Sequence, residues 1–308
     1  MGLGYDRRLY ILAFDHRGSF LKKMFGIPGA PDAGQVERII DAKTVISEGF
    51  RRALEQGVPK DSAGILVDEQ FGSEVARRAR GDGIILAMPV EKSGQDEFDF
   101  EYGDDFGRHI EEFDPTFSKV LTRYNPDGDA ALNRRQSERL RRLSDWLHAR
   151  RRRFLFELLV PAEPAQLESV GGDADRYDAE LRPKLMVRTI AELQKAGVEP
   201  DIWKIEGIDT REDCERIVVQ ARSGGRDGVG CVVLGRGADA AKVDHWLRQG
   251  AVVPGYIGFA IGRTIWWDAL KAYLDQGLAR DKAVEQVATN YRHVVDVYEA
   301  ASATPARA

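Results

Sequence analysis

Short apolar segments alternate with longer amphipathic segments along the whole chain, and this alternation constrains the fold more than any other feature. Eight apolar segments are expected as strands: Leu9–Phe14, Gly64–Val67, Gly83–Ala87, Phe117–Leu121, Phe154–Leu159, Ile202–Ile205, Gly228–Val233 and Tyr256–Ile261. The helices expected between them include Val36–Gln56, Gln136–Arg151, Leu181–Ala196, Arg211–Arg222, Asp239–Arg248 and Thr264–Gly277. Apolar strands that alternate with helices predict a parallel sheet. Eight of them favour a closed (β/α)8 barrel. A doubly wound open sheet is the alternative, but no glycine-rich nucleotide motif follows any expected strand.

The 308 residues are expected to form one barrel domain, because barrels of this kind often exceed 250 residues. One connection is unusually long, running from Met88 to Thr116 between the third and fourth strands. Long connections often act as lids or binding loops. An excursion that packs on a neighbouring subunit is the other interpretation. Residues 301–308 are expected to form a frayed tail.

Charge and cysteine content restrict the classes of partner. The net charge of −5 argues against nucleic acid, and the basic run Arg150–Arg153 is interpreted as a solvated helix end. No apolar run is long enough to span a membrane. Two cysteines, Cys214 and Cys231, cannot form a disulfide framework, which favours the cytoplasm. We expect a homo-oligomer that acts on a small molecule and needs neither a cofactor nor a metal.

Three charged residues lie inside apolar strands, where an ionised group is costly unless it is paired or functional. Lys119 lies in the fourth strand, Glu157 in the fifth and Lys204 in the sixth. A buried lysine whose pKa is lowered can act as a nucleophile and form a Schiff base. A carboxylate beside it can move protons. The alternative is a buried ion-pair network that only fills the barrel.

Glycine and arginine together follow each of the last two strands. Gly235 and Arg236 follow the seventh strand, and Gly262 and Arg263 follow the eighth. Glycines let backbone N–H groups approach an anion, and each loop leads into a helix N-terminus. The loops after strands seven and eight commonly bind phosphate in these barrels. The sequence therefore predicts a phosphate site there.

Charged residues also follow the first two strands, at the end of the barrel where active sites form. Asp15, His16 and Arg17 follow the first strand, and Asp68 and Glu69 follow the second. We expect His16, Arg17 and Asp68 to contact the substrate. A divalent-metal site is the alternative, but the metal-binding spacings HxxxH and HExxH are absent.

Long specific strings in the chain resemble a known bacterial domain. These strings are LAFDHRGSF, LVDEQFG, MPVEKSGQDEFDFEYGDDF, KVLTRYNPDGD, FELLVPA, DIWKIEG, VVLGRGA and GFAIGRTIWW. They resemble, over nearly the whole length, the domain fused C-terminally to 5-dehydro-2-deoxygluconokinase in inositol degradation. The resemblance implies a stand-alone version of that domain.

More distantly, the order of these features is similar to that of the class I tagatose-bisphosphate and sulfofructose-phosphate aldolases, which are (β/α)8 barrels. This resemblance implies that Lys204 is the Schiff-base lysine, Glu157 the proton-shuttling carboxylate and Lys119 the strand-four lysine. It further implies that Asp15 is the catalytic aspartate of the first strand and that Gly262-Arg263 forms the anion-binding loop. A glutamine commonly follows that aspartate in those aldolases, whereas His16 stands here. Arg236, in the loop after the seventh strand, is a second difference from those aldolases. Both differences concern which substrate binds, and neither concerns the lysine chemistry.

Three functions follow from these features. The first is a class I aldolase that cleaves 2-deoxy-5-keto-D-gluconate 6-phosphate to dihydroxyacetone phosphate and malonate semialdehyde. Arg17 and Arg123 are the candidate ligands for the carboxylate of that substrate. The second is an aldolase for another ketose phosphate, ketose bisphosphate or sulfofructose phosphate. The third is a non-catalytic sugar-phosphate-binding partner of a sugar kinase.

Overall fold

The eight strands of the computed structural model, which describes residues 2–303, close into a parallel barrel in chain order. The strands are β1 (Leu9–Ala13), β2 (Ala63–Leu66), β3 (Ile85–Pro89), β4 (Phe117–Arg123), β5 (Arg153–Leu159), β6 (Ile202–Glu206), β7 (Gly230–Leu234) and β8 (Tyr256–Ile261). Strand β8 pairs with β1 and closes the barrel. The predicted (β/α)8 barrel is therefore confirmed.

Alternating side chains along each strand divide the apolar core into two layers. Leu9, Ile11, Phe117, Leu155 and Ile202 belong to the core inside the barrel. Their strand neighbours, such as Tyr10, Leu12 and Phe154, pack between the sheet and the surrounding helices. In a strand, the side chain two residues after an inward-pointing side chain also points inward. This period places the charged side chains of β4, β5 and β6 inside the mouth of the barrel.

Twelve α-helices surround the strands in the described part of the chain. They are α1 (Gly18–Met24), α2 (Ala33–Glu55), α3 (Glu69–Gly81), α4 (Phe106–Phe113), α5 (Ala130–Ala149), α6 (Pro164–Ser169), α7 (Ala174–Arg176), α8 (Arg182–Lys195), α9 (Arg211–Ala221), α10 (Ala240–Ala251), α11 (Arg263–Asp275) and α12 (Arg280–Ser302). None of them has the length and apolarity needed to cross a bilayer. The expectation that α5 begins at Gln136 is wrong. It begins at Ala130 because the Asp129 carboxylate accepts hydrogen bonds from two N–H groups of the first turn.

The last helix, α12, ties the C-terminal part of the chain to the barrel. The hydroxyl of Tyr291 donates to the carbonyl of Tyr10 at 2.6 Å, and the hydroxyl of Tyr298 donates to the carbonyl of Tyr256 at 2.9 Å. The predicted frayed tail is wrong for Ala301 and Ser302, which still belong to this helix. Residues 304–308 of that tail lie outside the described residues.

The long β3–β4 connection is ordered by backbone pairing and by ion pairs. Its first part folds back on itself through an antiparallel bridge between Glu91 and Phe100, and α4 follows. Helix α5 holds it from outside, because Arg135 and Arg139 each lie 2.7 Å from a carboxylate oxygen of Glu97. The connection therefore forms a braced wall over one side of the barrel mouth.

Candidate active site

Lys119, Glu157 and Lys204 meet inside the barrel mouth, as the sequence predicts. One oxygen of Glu157, Oε2, lies 2.9 Å from Nζ of Lys119 and 3.0 Å from Nζ of Lys204. Each of these residues is at most 5% exposed. Two ammonium groups therefore share one carboxylate oxygen in a buried setting, where such pairs interact far more strongly than in water.

Two further carboxylates complete the coordination of Lys119. Its ammonium donates to Oδ2 of Asp15 at 2.9 Å and to Oε1 of Glu91 at 2.8 Å. Asp15 was among the predicted residues, but Glu91 was not. Its position in the sequence could have indicated it. Glu91 stands two residues after the end of β3, and a charged residue just after a barrel strand lies at the same end of the barrel as the other site residues.

The opposing charges divide the three carboxyl groups into two kinds. Burial alone raises the pKa of Asp15 and of Glu157, but Lys119 and Lys204 hold both below their ordinary values. Burial raises the pKa of Glu91 above its ordinary value, and Lys119 and Arg17 only partly oppose that shift. Burial lowers the pKa of Lys119, yet its three carboxylates outweigh this effect and raise it well above its ordinary value. Lys119 is thus a permanent cation beside Lys204.

A cavity of about 590 Å³ opens above this cluster. All but one of the predicted site residues line it: Asp15, His16, Arg17, Lys119, Arg123, Glu157, Lys204, Gly235, Arg236, Gly262 and Arg263. The volume lies within the range of small-molecule sites in enzymes. The fold therefore brings eleven of the twelve predicted site residues together at one cavity.

Asp68 is the exception, and its expected contact with substrate does not fit its position. Its side chain is fully buried, and Oδ2 accepts a hydrogen bond from the N–H of Phe71 at 2.8 Å, capping α3. Its other oxygen pairs with Lys43. The same ammonium of Lys43 donates to the carbonyls of Phe14 and His16 at 2.8 and 3.1 Å. Asp68 and Lys43 thus support the end of β1 from beneath the cavity.

Arg17 and Arg123, the two predicted carboxylate ligands, have different surroundings. The guanidinium of Arg17 donates to Oε2 of Glu101 and to the carbonyl of Glu91, both at 2.7 Å. It joins the β1–α1 loop to the β3–β4 connection, and Glu101 already balances its charge. Arg123 donates only to the carbonyl of Gln95, at 2.7 Å, and no ion pair to it occurs within residues 2–303. Arg123 therefore keeps donors for an incoming anion.

Arg263 lies at the first position of α11 and has no carboxylate within ion-pairing distance among the described residues. Its guanidinium donates to the carbonyl of Arg236 at 2.6 Å. A Cβ atom on Gly237 would lie 2.5 Å from that guanidinium, and one on Gly262 would lie 2.2 Å from the carbonyl of Ala13. Gly262 therefore requires glycine because the backbone blocks a side chain, and Gly237 favours glycine because its φ is 78°. The first turn of α11 has no side-chain cap, and although the N–H of Ile265 donates to the carbonyl of Gly262 at 2.8 Å, the N–H groups before it are available to an anion.

Arg236 occupies a different position from the one expected for a phosphate ligand. Its guanidinium lies 3.0 Å from Oε1 of Glu206 and also pairs with Asp178. Its backbone adopts the left-handed conformation, with φ of 52°. The two carboxylates already balance its charge, and its carbonyl is the group that receives Arg263. Arg236 thus orients Arg263.

His16 is uncharged at neutral pH. Burial, with contributions from Arg263 and other nearby cations, lowers its pKa to about 4 even though Asp15 favours the charged form. Its Nδ1 lies 3.9 Å from Oδ1 of Asp15. A neutral imidazole at this rim offers one donor and one acceptor to a ligand.

The fold and the cavity together define a closed (β/α)8 barrel with a buried lysine–carboxylate cluster at the C-terminal ends of its strands. Residues 5–302 match the model of a bacterial family described as "Uncharacterized protein conserved in bacteria (DUF2090)". The chain belongs to this family. No curated protein matches the chain.

Solved structures share the fold at low sequence identity. A Schiff-base-forming fructose-1,6-bisphosphate aldolase is 14% identical, with a TM-score of 0.55, and the match covers 93% of this chain and 94% of that one. A protein from Corynebacterium glutamicum is 16% identical, with a TM-score of 0.59 and coverage of 95% and 88%. A fructose-bisphosphate aldolase from Plasmodium falciparum is 15% identical, with a TM-score of 0.58 and coverage of 95% and 88%.

Proposed function

We propose that this protein is a class I aldolase in which Lys204 forms a Schiff base with a phosphorylated keto sugar acid. The observation that carries the proposal is the contact between Nζ of Lys204 and Oε2 of Glu157, 3.0 Å apart in the wall of the cavity. The permanent cation of Lys119 lies 2.9 Å from the same oxygen. A nucleophile with a proton acceptor in reach is the arrangement that covalent catalysis needs. Two of the similar structures are aldolases by name, and one forms a Schiff base.

The reaction proceeds by covalent attachment followed by cleavage of one carbon–carbon bond. Lys204 releases a proton, and its amine attacks the ketone carbon to form a carbinolamine. The proton that Lys204 released returns through Glu157 to the carbinolamine hydroxyl, which leaves as water and gives an iminium. The hydroxyl proton on the β-carbon then passes to Glu157, the bond between the α- and β-carbons breaks, and the iminium takes up the electron pair as an enamine. Glu157 gives the proton it accepted to the enamine carbon, and addition of water to the resulting iminium releases the second product and frees Lys204.

Each end of the substrate meets a cation at the rim. Arg263, Gly262, Gly235 and the uncapped first turn of α11 bind the phosphate, and Arg236 holds Arg263 in place. Arg123, which keeps free donors, binds the carboxylate. Charge-assisted hydrogen bonds of this kind are the strong ones.

The substrate we propose is 2-deoxy-5-keto-D-gluconate 6-phosphate, in line with the resemblance to the kinase-fused domain of inositol degradation. Attachment of Lys204 to its ketone and cleavage between the third and fourth carbons give malonate semialdehyde and dihydroxyacetone phosphate. Every atom of the substrate is then present in the two products.

The proposal is tested by trapping the adduct. The protein is incubated with dihydroxyacetone phosphate, reduced with borohydride, and analysed by intact mass and peptide mapping, with and without EDTA. A single reduced adduct on Lys204 that is indifferent to EDTA is expected. Lys204→Met should lose both the adduct and cleavage, whereas Lys271→Met, an exposed change on α11, should retain both.

Three results would overturn the proposal: no adduct, an adduct on a different lysine, or cleavage that persists in Lys204→Met. Phosphate-ligand binding without any adduct would favour a non-catalytic partner of a sugar kinase. A panel of ketose phosphates, ketose bisphosphates and sulfofructose phosphate then decides the substrate by rate of cleavage.

A further inference from the structure

Glu91 is a buried carboxyl group at the wall of the cavity that the proposed mechanism does not use. It lies in the β3–β4 connection and is 7% exposed. Its Oε1 accepts a hydrogen bond from Lys119 at 2.8 Å, while Oε2 is buried without a hydrogen-bond partner among the described residues. A negative charge left without a donor at a buried oxygen is costly, and a proton on that oxygen removes most of the cost.

Glu91 is also one end of a continuous chain of polar contacts. From Oε1 of Glu91 the chain runs 2.8 Å to Nζ of Lys119, then 2.9 Å to Oε2 of Glu157, and then 3.0 Å to Nζ of Lys204. Every step is a hydrogen-bond distance. Protons can pass along such a chain while the carbon skeletons of the side chains keep their positions.

We propose that Glu91 receives, by way of Glu157 and Lys119, the proton that Lys204 must release before its amine can attack a carbonyl carbon. The three transfers occur together: Lys119 gives a proton to Glu91 as it takes one from Glu157, and Glu157 takes the proton of Lys204, so Lys119 stays a cation. Lys204 becomes a neutral amine and Glu91 a neutral carboxyl group, while Glu157 and Lys119 end with the charges they began with. The new proton is then on Oε1, and a half-turn of the carboxyl group moves this O–H away from Lys119 and brings Oε2 into place to accept from Lys119.

The charges around Glu91 explain why it, and neither Asp15 nor Glu157, holds the proton. Lys119 of β4, Arg17 of the β1–α1 loop and Asp15 at the end of β1 face it, with Glu101 beyond Arg17. Burial raises the pKa of Glu91 above its ordinary value, whereas the pKa values of Asp15 and Glu157 lie below theirs. Glu91 is therefore the member of the cluster that is protonated at the lowest cost.

The inference rests on the proposed function, and Glu91→Gln tests it through the pH dependence of adduct formation. Without Glu91 the proton of Lys204 must leave to solvent, so the rate of borohydride-trapped adduct formation should reach its plateau at higher pH. We expect a shift of about one pH unit, which is about a tenfold slower rate at a fixed pH below the plateau. Glu112→Gln on α4 is the matched control, because Glu112 pairs with Arg77 and does not line the cavity. It should leave the midpoint in place.

A purely structural role would lower the rate at every pH without moving the midpoint, and that result would overturn the inference. A second readout needs no aldolase activity. Infrared titration of the wild-type protein should detect a protonated carboxyl group at a pH where ordinary glutamates are ionised, and Glu91→Gln should remove that signal. If the signal persists in Glu91→Gln, the proton resides elsewhere. If wild-type protein forms no adduct on Lys204, the proposed function fails, while the infrared signal still decides whether Glu91 holds a proton.

Discussion

Glu157 and Lys204 are register partners on the neighbouring parallel strands β5 and β6, and their charged atoms lie 3.0 Å apart. Because both side chains point into the barrel, the pairing of the two strands is sufficient to bring nucleophile and carboxylate together. A slip of one residue in either strand would turn one of them out toward the helices. The geometry of the site is therefore built into the register of the barrel.

Glu157→Gln should abolish most of the chemistry while keeping the shape of the site. Burial alone raises the pKa of Glu157, but Lys119 and Lys204 hold it below its ordinary value, so the residue is an ionised proton acceptor at neutral pH. An amide cannot accept the proton, and we expect adduct formation and cleavage to slow by roughly 10²- to 10⁴-fold. The rate of trapping on Lys204 measures this loss. Glu168→Gln, an exposed change on α6, serves as the control, and an equal loss in both variants would contradict the assignment.

Arg263→Gln should weaken binding of the phosphate and spare the covalent step. A hydrogen bond to a charged group contributes about 1.5–3 kcal/mol, so half-maximal trapping should need roughly 10- to 100-fold more dihydroxyacetone phosphate. The rate with dihydroxyacetone, which has no phosphate, should stay at its wild-type value. Lys271→Gln removes a positive charge from the same helix away from the cavity. If both variants lose the same affinity, the effect comes from overall charge and Arg263 does not bind the phosphate.

Asp68→Asn should reduce stability while leaving substrate affinity unchanged. The change removes the carboxylate paired with Lys43, whose ammonium then keeps the carbonyls of Phe14 and His16 as hydrogen-bond acceptors but loses its nearest negative charge. Leaving a buried charge without its partner costs about 3–5 kcal/mol of unfolding free energy, measurable by urea denaturation. The double variant Lys43→Met with Asp68→Asn should recover part of the loss. If Asp68→Asn were as stable as wild type but bound substrate more weakly, Asp68 would be a substrate-binding residue and its assignment as a structural residue would be wrong.

The strands and the charged residues on them could be predicted from the sequence because burial leaves a clear pattern there. All eight strands agree with their predicted positions to within two residues at each end. Lys119, Glu157 and Lys204 were recognisable because each interrupts an otherwise apolar run. The same period that buries Phe117, Leu155 and Ile202 turns these three charges inward.

The partners of those charges could not be predicted, because they depend on contacts between distant segments. Glu91 lies in a polar connection where acidic residues are common, and only the fold brings it to Lys119. Asp68 follows a strand, as catalytic residues of barrels often do. In the structure, however, its carboxylate forms a buried ion pair with Lys43, which is 25 residues earlier in the chain. Arg236, like Arg263, follows a glycine at the end of a strand. Its guanidinium nevertheless forms ion pairs with Glu206 and Asp178, which a substrate phosphate would have to replace. These ion pairs join residues that are distant in the chain and close only in the folded structure, so they cannot be recognised from one sequence.

His16 should make the protein less stable as the pH falls from about 6.5 to about 4. The unfolded chain binds a proton at the ordinary histidine pKa of about 6.5, whereas burial and nearby cations lower the pKa of folded His16 to about 4. Between these values the unfolded state holds more protons than the folded state, so the free energy of unfolding decreases with falling pH. Above this window the imidazole is neutral in both states. Below it the imidazole is charged in both states, and the loss from this residue levels off at about 3 kcal/mol.

Urea denaturation of wild-type protein and His16→Asn at pH 7.5, 6, 5 and 4 measures this contribution, because the other titrating groups cancel in the difference. The stability advantage of wild type over His16→Asn should shrink steadily from pH 6 to pH 4. His293→Asn, a change of a half-exposed histidine on α12, controls for the loss of an imidazole as such. A difference between wild type and His16→Asn that is independent of pH would mean that His16 titrates alike in the folded and unfolded chain. In that case the imidazole at the rim is charged whenever an ordinary histidine is, and the ligand that binds beside Asp15 meets an additional cation.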